Sequence, residues 1–491
     1  MPRYLSPLLL ALIAILSGIN PGHAAPRLNI EITGGVEAAQ PIAVVPFGMT
    51  DGQNAPVDVA AVISADLART GKFKPLPVTD MLTQPTTREA IDPRDWRLLG
   101  VNTLVIGQLT PTEGGVRINV VIYDVMRGSE LTATELVTST AGLRHTAHQI
   151  ADLIYKTLTG QPGVAATRIA YVTASGSGEK QTVSLRVADA DGENPQTIVS
   201  SSEPILSPAW SPDGQLIAYV SFENQRSAIY IQDLRGGQRV LVASYSGINS
   251  APAFSPDGKR LAMTLSKDGN SEIYVLDLVS RELRRLTDHF AIDTEPAWSP
   301  DGQQLIFTSN RGGTPQIYRM AASGGAAERI SVEGDYNACA AFAPDGRSIV
   351  MVTRINGAFR IAVLDVERQL TRLLTNGTLD ESPSFAPNGA LVIYATTYNG
   401  RGVLATVAIE GGSSLRLSQS SGQMREPAWS PLARTDGGAG ATAGKRWVEI
   451  PPSPPFSKGG NGEPFSKGNG LVSEAKQNEQ ISEAKRLAQE L

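Results

Sequence analysis

Cysteine and histidine are scarce in this sequence, which limits the chemistry that it can support. Cys339 is the only cysteine among 491 residues, so an internal disulfide and a thiolate metal cluster are both excluded. His145 and His148 have the spacing of two ligands on one helix face, but no acidic residue or third histidine stands beside them. We interpret this pair as a solvated helix start, and we expect neither a metal nor a cofactor.

The sequence also lacks an excess of positive charge and long apolar runs. Lysine and arginine number 43 against 48 aspartates and glutamates, and a net charge of −5 offers no basic field for a phosphate backbone, which excludes nucleic acid as a partner. No run approaches the roughly 20 apolar residues that span a bilayer. Arg3, an apolar run over residues 8–16 and Gly22-His23-Ala24 predict a secretory signal over residues 1–24, cleaved after Ala24.

A short sequence motif recurs six times at spacings of 43 or 44 residues, and its first copy reads Pro-Ala-Trp-Ser-Pro-Asp-Gly. We call this motif the phrase. Each of the first five copies is followed by three strand-like runs, which with the phrase itself make four strands per unit. Four strands in about 40 to 45 residues form one blade of a β-propeller, whereas helical repeats would need long runs of 3.6-residue period. The copies cover residues 208–214, 252–258, 296–302, 340–346, 383–389 and 427–431.

The phrase suits a tight turn next to a packing contact. Its Ser-Pro-Asp-Gly ending combines a proline that fixes φ, an Asp or Asn that caps the turn, and a glycine that supplies positive φ. The aromatic residue two positions before the proline offers the large apolar area that one blade buries against the next. We interpret this column as core rather than as a ligand cage: Trp210, Phe254, Trp298, Phe342, Phe385 and Trp429.

The two ends of the repeat region complete each other. Residues 168–172 match the strand that follows each phrase, although no phrase precedes them, and the phrase at 427–431 has no strands after it. One blade built from both ends closes the ring and removes exposed sheet edges. The predicted propeller therefore has six blades.

The sequence predicts a multidomain monomer without a disulfide framework. The predicted units are a small α/β domain over residues 25–163, with helices at 57–70 and 143–158, and a six-bladed all-β propeller over residues 164–431. Residues 432–491 have low complexity and are predicted to be a disordered tail.

Residues 25–40 form a leading segment in front of the α/β domain. Leu28, Ile30 and Ile32 alternate with polar residues before a turn at Gly34-Gly35. This pattern fits either a strand that pairs with a sheet edge, its own or a partner's, or a mobile terminus.

The sequence offers little support for catalysis. A nucleophile elbow of the form Gly-x-Ser-x-Gly is absent, and the 60 residues after 431 leave no room for a hydrolase domain. A propeller-type hydrolase or lyase is the alternative to a binding protein, and we predict that the chain is not an enzyme.

Three residues precede each phrase, and they occupy equivalent positions around one mouth of the propeller channel. These triplets vary while the phrase stays constant, and together they carry five carboxylates against one arginine. Such a mouth suits a polar or basic segment of another protein. The alternative is a hydrated rim with no partner. The triplets cover residues 205–207, 249–251, 293–295, 337–339, 380–382 and 424–426.

Up to residue 431 the chain resembles the TolB family, the periplasmic propeller proteins of the bacterial Tol-Pal system. The resemblance lies in Pro41-Ile-Ala-Val-Val-Pro-Phe47, Gly71-Lys-Phe73, Val105-Ile-Gly-Gln108, Thr167-Arg-Ile-Ala-Tyr-Val172 and the ending at Pro427-Ala-Trp-Ser-Pro431. It implies a non-enzymatic scaffold in the periplasm that supports outer-membrane integrity and cell division. The implied partners are the lipoprotein Pal and the inner-membrane protein TolA, with outer-membrane proteins and colicin-type toxins as further ones.

The resemblance also implies which residues bind these partners. Ala251 and Thr294 match family positions tied to Pal binding, and the leading segment is the expected TolA contact through Leu28, Ile30 and Ile32. The chain departs from the family at Ile248, where a histidine is frequent. The complete predicted Pal site is Asn249, Ala251, Asp293, Thr294, Glu295, Asp380, Glu381 and Glu426.

Overall fold

The computed structural model describes residues 39–176, 181–412, 414–417 and 422–432. Within them the chain forms a six-bladed β-propeller preceded by a smaller α/β domain, so the predicted fold class is confirmed. The predicted signal over residues 1–24, the predicted TolA-binding residues Leu28, Ile30 and Ile32, and the tail from residue 433 lie outside the described residues.

A mixed sheet forms the centre of the N-terminal domain. Its strands are β1 (Gln40–Val44), β2 (Gly48–Met49), β3 (Phe73–Pro75), β4 (Thr103–Thr112), β5 (Gly115–Asp124) and β6 (Ser129–Thr138). They follow the order β3-β1-β4-β5-β6, with β2 beside β4. Strand β1 runs parallel to β3 and β4, whereas β4, β5 and β6 are antiparallel. The helices are α1 (Val59–Arg69), α2 (Pro93–Leu98) and α3 (Leu143–Thr159), with 3-10 turns at Val78–Asp80 and Arg88–Ala90.

The helices cover both faces of this sheet. Ile63 of α1 and Ile150 of α3 are completely buried against one face, while Trp96 of α2 is completely buried on the other. Local sequence sets the helix ends: the Asp58 carboxylate accepts the Ala61 amide at 3.0 Å and caps α1, and Gly160 ends α3 in the left-handed conformation. Both helices lie where the sequence predicts them.

Each propeller blade is a four-stranded antiparallel sheet. Strands β7 (Arg168–Ser175), β8 (Thr182–Asp189) and β9 (Gln196–Ser201) begin the propeller sequence and belong to blade 6. Blade 1 has β10 (Ile205–Trp210), β11 (Leu216–Ser221), β12 (Ala228–Asp233) and β13 (Arg239–Ala243). Blade 2 has β14 (Asn249–Phe254), β15 (Arg260–Leu265), β16 (Glu272–Asp277) and β17 (Leu283–Arg285). Blade 3 has β18 (Asp293–Trp298), β19 (Gln304–Ser309), β20 (Gln316–Ala321) and β21 (Glu328–Arg329).

The remaining blades complete the ring. Blade 4 has β22 (Asn337–Phe342), β23 (Ser348–Ile355), β24 (Ala358–Asp365) and β25 (Leu370–Leu373). Blade 5 has β26 (Glu381–Phe385), β27 (Leu391–Tyr398), β28 (Arg401–Ala408) and β29 (Leu415–Arg416). Blade 6 combines β30 (Gln423–Trp429) with β7, β8 and β9 in the order β30-β7-β8-β9, as the sequence predicts.

Blade 6 is fastened by hydrogen bonds between residues that are far apart in the sequence. The Ser430 amide donates to the Arg168 carbonyl at 2.8 Å, and the Arg168 amide donates to the Ser430 hydroxyl at 3.0 Å. The Trp429 indole donates to the Thr167 hydroxyl at 2.7 Å. These bonds join the first and last strands of the propeller without a covalent link.

The repeated phrase acts as a turn and as a contact between blades. In blade 3 the Asp301 carboxylate accepts the Ser299 hydroxyl at 2.5 Å, and Gly302 has a φ of 70°. A Cβ atom at Gly302 would lie 3.6 Å from Pro256 in the turn of blade 2. The Trp298 indole donates to the Ala253 carbonyl of blade 2 at 3.0 Å, so this aromatic residue packs between blades as predicted.

The two faces of the propeller have different neighbours. The first strand of each blade packs beside its counterparts around the ring and ends in the repeated turn. These turns face the N-terminal domain, because the Asn388 side chain in the turn of blade 5 donates to the Pro162 carbonyl at 2.9 Å. The loops between successive blades lie on the opposite face, which we call the mouth. No helix within the described ranges is long and apolar enough to cross a membrane.

Candidate partner-binding site at the mouth

The inner strands share an irregularity where they leave the mouth. In each of the six, the pairing with the next strand shifts at the triplet, which is the geometry of a β-bulge. The third residue of every triplet has a positive φ between 47° and 56°, although none is glycine. A non-glycine residue at positive φ is uncommon, and such strain concentrates at functional sites. These residues are Ser207, Ala251, Glu295, Cys339, Ser382 and Glu426.

Two of these bulge residues reach across to the next blade. Glu295 of blade 3 accepts the Cys339 amide of blade 4 at 2.8 Å and the Thr308 hydroxyl at 2.7 Å. Glu426 of blade 6 accepts the Ser207 amide of blade 1. The bulge therefore aims a carboxylate along the ring, where it ties neighbouring inner strands together at the mouth.

Burial at the mouth raises the pKa of two carboxyl groups, those of Glu426 and Glu381. Burial raises the pKa of Glu426 to about 7, although the hydrogen bond from the Ser207 amide lowers it, and the charges of Glu381 and Glu295 raise it further. Burial also raises the pKa of Glu381, against the effect of the Arg425 charge. The negative charge of the mouth consequently decreases as the pH falls through about 7.

The only thiol remains protonated. Burial and then the Glu295 charge raise the pKa of Cys339 well above its usual value, and the Cys339 thiol donates to Glu295 at 3.1 Å. A thiol is nucleophilic as its thiolate, which this environment disfavours. The thiol and carboxylate pair is thus a structural contact rather than a nucleophile with its base.

The first residue of several triplets lies inside the blade, and three residues of the predicted Pal site are in this position. The side chains of Asn249, Asp293 and Asp380 are 0, 0 and 1% exposed. Asn249 bonds the Tyr245 amide and carbonyl, both at 2.8 Å, and so anchors the loop between blades 1 and 2. Asp293 and Asp380 contact polar side chains within their own blades. These three side chains hold the loops and present no surface to a partner.

The other predicted residues lie at the mouth itself. Ala251, Thr294, Glu295, Glu381 and Glu426 are all half-buried at the bulges or beside them. An open cleft of about 270 Å³ lies between blades 5 and 6, with Glu381 and Arg425 in its wall. The structure thus brings five of the eight predicted residues together around the channel entrance.

Exposed apolar side chains lie in the loops that connect blades 1 to 5 on the same face, and sequence reasoning missed them. Phe290 in the loop between blades 2 and 3 is 88% exposed, which is unusual for phenylalanine. Exposed apolar side chains that lie next to polar groups are a feature of protein-interaction surfaces. We call this set the apolar loop ring: Tyr245, Phe290, Ile292, Val332 and Leu379.

Comparisons with known proteins assign the chain's two domains. The family model for the TolB amino-terminal domain matches residues 28–131, and that for the TolB beta propeller domain matches residues 155–433. The crystal structure of TolB from Acinetobacter baumannii is 41% identical with a TM-score of 0.74, covering 80% of this chain and 97% of that chain.

Curated relatives give the same result over a shorter length. A "Tol-Pal system protein TolB" from Nitrosococcus oceani is 54% identical over 204 residues, which is 41% of this chain and 46% of the relative. One from Methylococcus capsulatus is 50% identical over 217 residues, which is 44% of this chain and 50% of the relative. The chain thus spans about half the length of these relatives. The names of these relatives agree with the prediction that the chain is not an enzyme.

The order of the two matched domains agrees with the order of the α/β domain and the propeller in the structure. The propeller match alone covers more than half of the 491 residues. The chain therefore belongs to the TolB family.

Proposed function

We propose that this protein is a periplasmic scaffold of the Tol-Pal system, which binds the lipoprotein Pal at the propeller mouth and TolA through its leading segment. In this role it supports outer-membrane integrity and cell division. Colicin-type toxins would compete for the same mouth. The membership of the TolB family and the name of the curated relatives support the placement in the Tol-Pal system.

One observation carries the Pal assignment. Six strained bulges frame a ring of carboxylates, and the apolar loop ring lies in the loops on the same face. Hydrogen bonds between blades fix the carboxylates in place, so a partner meets a preformed surface and little ordering entropy is lost on binding. A protein segment that carries basic and apolar side chains matches this surface in charge and in polarity.

The direct test is a calorimetric titration of the chain, without its predicted signal, with the soluble domain of Pal from the same organism. We expect saturable binding of one Pal per chain. Because Glu426 loses its charge near pH 7, binding of a basic segment should be weaker at pH 6 than at pH 8. The absence of heat and of any binding by a second method would contradict the assignment.

The TolA contact rests on the alternation in the leading segment. In a strand added to a sheet edge, Leu28, Ile30 and Ile32 share one face, whereas Asn29, Glu31 and Thr33 share the other. Replacing the first three by serine should abolish capture of TolA in a pull-down, and replacing the second three by serine should not. Both variants should bind Pal normally. TolA capture at full strength by a chain that lacks residues 25–35 would refute this contact.

A further inference from the structure

The two domains meet at a buried cluster of charged side chains that the proposed function does not use. The first turns of α3 face the end of β8 and the turn that follows it, so His148 of α3 lies opposite Asp189 and Asp191 of the propeller. His148 is 1% exposed. The prediction of a solvated helix start is therefore wrong for His148, because the fold packs this part of α3 against the propeller.

His148 has a carboxylate on each side. Its Nδ1 atom lies 2.6 Å from the Asp66 carboxylate of α1, in its own domain. Its Nε2 atom is buried without a hydrogen-bond partner among the described residues. That atom lies 3.9 Å from the Asp189 carboxylate and 3.8 Å from that of Asp191, both in the propeller. The ring thus points one nitrogen into each domain.

Two arginines already supply fixed positive charge to this cluster. Arg69 pairs with Asp66 at 2.8 Å, and Arg144 pairs with Asp191 across the domain boundary. Within 4 Å, these two guanidinium groups face three carboxylates, those of Asp66, Asp189 and Asp191, so a proton on His148 adds positive charge where negative charge is in excess. Asp66, His148 and Asp191 lie close enough together to hold a metal ion, but the guanidinium of Arg144 already occupies a carboxylate oxygen that a metal would need.

The protonation state of the His148 imidazole decides whether it attracts or repels the carboxylates of Asp189 and Asp191. A neutral ring that donates from Nδ1 to Asp66 turns the lone pair of Nε2 toward the two propeller carboxylates, which is repulsive. A ring with both protons donates toward both domains, and such charge-assisted contacts are strong when they are buried. The geometry therefore favours the doubly protonated ring while the domains are closed.

We infer that His148 is a proton-operated latch between the two domains, which holds the N-terminal domain against the propeller when both ring nitrogens are protonated and releases it when Nε2 loses its proton. The same contact couples pH to the domain that carries the leading segment. This inference concerns the domain interface alone and does not depend on the identity of the partner at the mouth.

The direction of the pKa shift agrees with this geometry. Burial lowers the pKa of His148, but the hydrogen bond to Asp66 and the charges of the three carboxylates outweigh it and raise the pKa above 6.5. The stabilisation by the latch is therefore fully present below about pH 6.5 and is lost as the pH rises through the raised pKa. Each unit by which the pKa of His148 differs between the closed and open arrangements changes the ratio of their populations about tenfold.

Other titratable groups near the latch must be separated from it in a test. In α3, burial lowers the pKa of His145 and raises that of Asp152 to about 6. Asp152 accepts the amides of Ala165 and Ala166 in the connection between the domains. On the propeller side, the Arg168 guanidinium lies near Asp189. A variant of His148 itself therefore isolates its contribution from these neighbours.

The first test is an NMR titration of His148 in the full chain without its signal. We expect a pKa above 6.5 that falls by about one unit or more in an Asp191→Asn variant, because the opposite charge across the boundary is removed. Asp213→Asn is the matched control, since it makes the same change in a turn where blade 5 already has Asn388. A pKa at or below 6.5, equal values in wild type and Asp191→Asn, or displacement of the proton by stoichiometric Zn²⁺ at pH 7 would overturn the latch.

The second test follows the domains with spin labels on cysteines at Val137 and Val279, which are 66% and 81% exposed, in a Cys339→Ala background. The interlabel distance distribution should be narrow at pH 6 and broader above the His148 pKa. His148→Gln, which cannot carry the charge, should be broad at both pH values. A distribution that is the same at both pH values in the wild type would overturn the latch even if the pKa is raised.

Discussion

Replacing Thr294 and Glu381 together by arginine is expected to abolish Pal binding while the propeller stays folded. Both side chains are half-buried at the mouth, on different inner strands, so the variant adds three positive charges and two bulky side chains where we propose that a basic segment docks. Like-charge contacts at an interface are strongly unfavourable, and we expect the affinity to fall at least about a hundredfold. Titration calorimetry with Pal measures this change directly.

The matched control places the same change of charge on the opposite face. Val279→Arg with Glu282→Arg also adds three positive charges, at exposed positions in the turn between β16 and β17. This control should bind Pal as the wild type does. Thermal unfolding of both variants checks that they fold. Unchanged affinity in a folded Thr294→Arg, Glu381→Arg variant would show that the mouth is not the Pal site.

Removing residues 423–491 should prevent the propeller from closing. This truncation deletes β30, which supplies the inner strand of blade 6, and leaves the edge of β7 unpaired. It also removes Trp429, whose loss from a buried position alone would cost about 3–5 kcal/mol. Because domains are stable by only about 5–15 kcal/mol, we expect no cooperative unfolding transition from the truncated propeller.

A second truncation separates closure of the ring from the effect of the tail. A chain that ends at Leu432 keeps β30 and the bonds between Ser430 and Arg168. If the tail has the disorder that its composition predicts, the unfolding midpoint in scanning calorimetry should match that of the full chain to within roughly 2 °C. A cooperative transition at the normal midpoint without β30 would contradict the proposed role of this strand.

The repeat made the propeller predictable from the sequence, because its turn and its packing contact each need particular residues. The glycine of the turn supplies positive φ and the aromatic residue fills the space between blades, so both recur at fixed spacing. The same logic predicted blade 6, the split blade, which combines strands from both ends of the propeller sequence. A period repeated six times averages out the local ambiguity that makes a single strand hard to identify.

The details of the mouth could not be predicted in the same way. Positive φ at Ala251 or Glu295 has no sequence signal, because such conformations are normally marked by glycine or asparagine. Asp293 reads as a surface carboxylate in the sequence, yet Arg311 pairs with it inside the blade at 2.5 Å. His148 was misjudged for a related reason: its partners Asp189 and Asp191 lie some 40 residues away and meet it only through the domain interface.

The split blade has a practical consequence for engineering this protein. Since Arg168 and Ser430 are hydrogen-bonded neighbours, a short linker between them would allow the propeller to be opened elsewhere as a circular permutant. A fluorophore or immobilisation tag fused after Leu432 would start on the side of the N-terminal domain. New termini in a loop of the mouth would instead place the reporter beside the carboxylate ring, so the two fusion proteins would report on opposite faces of the propeller.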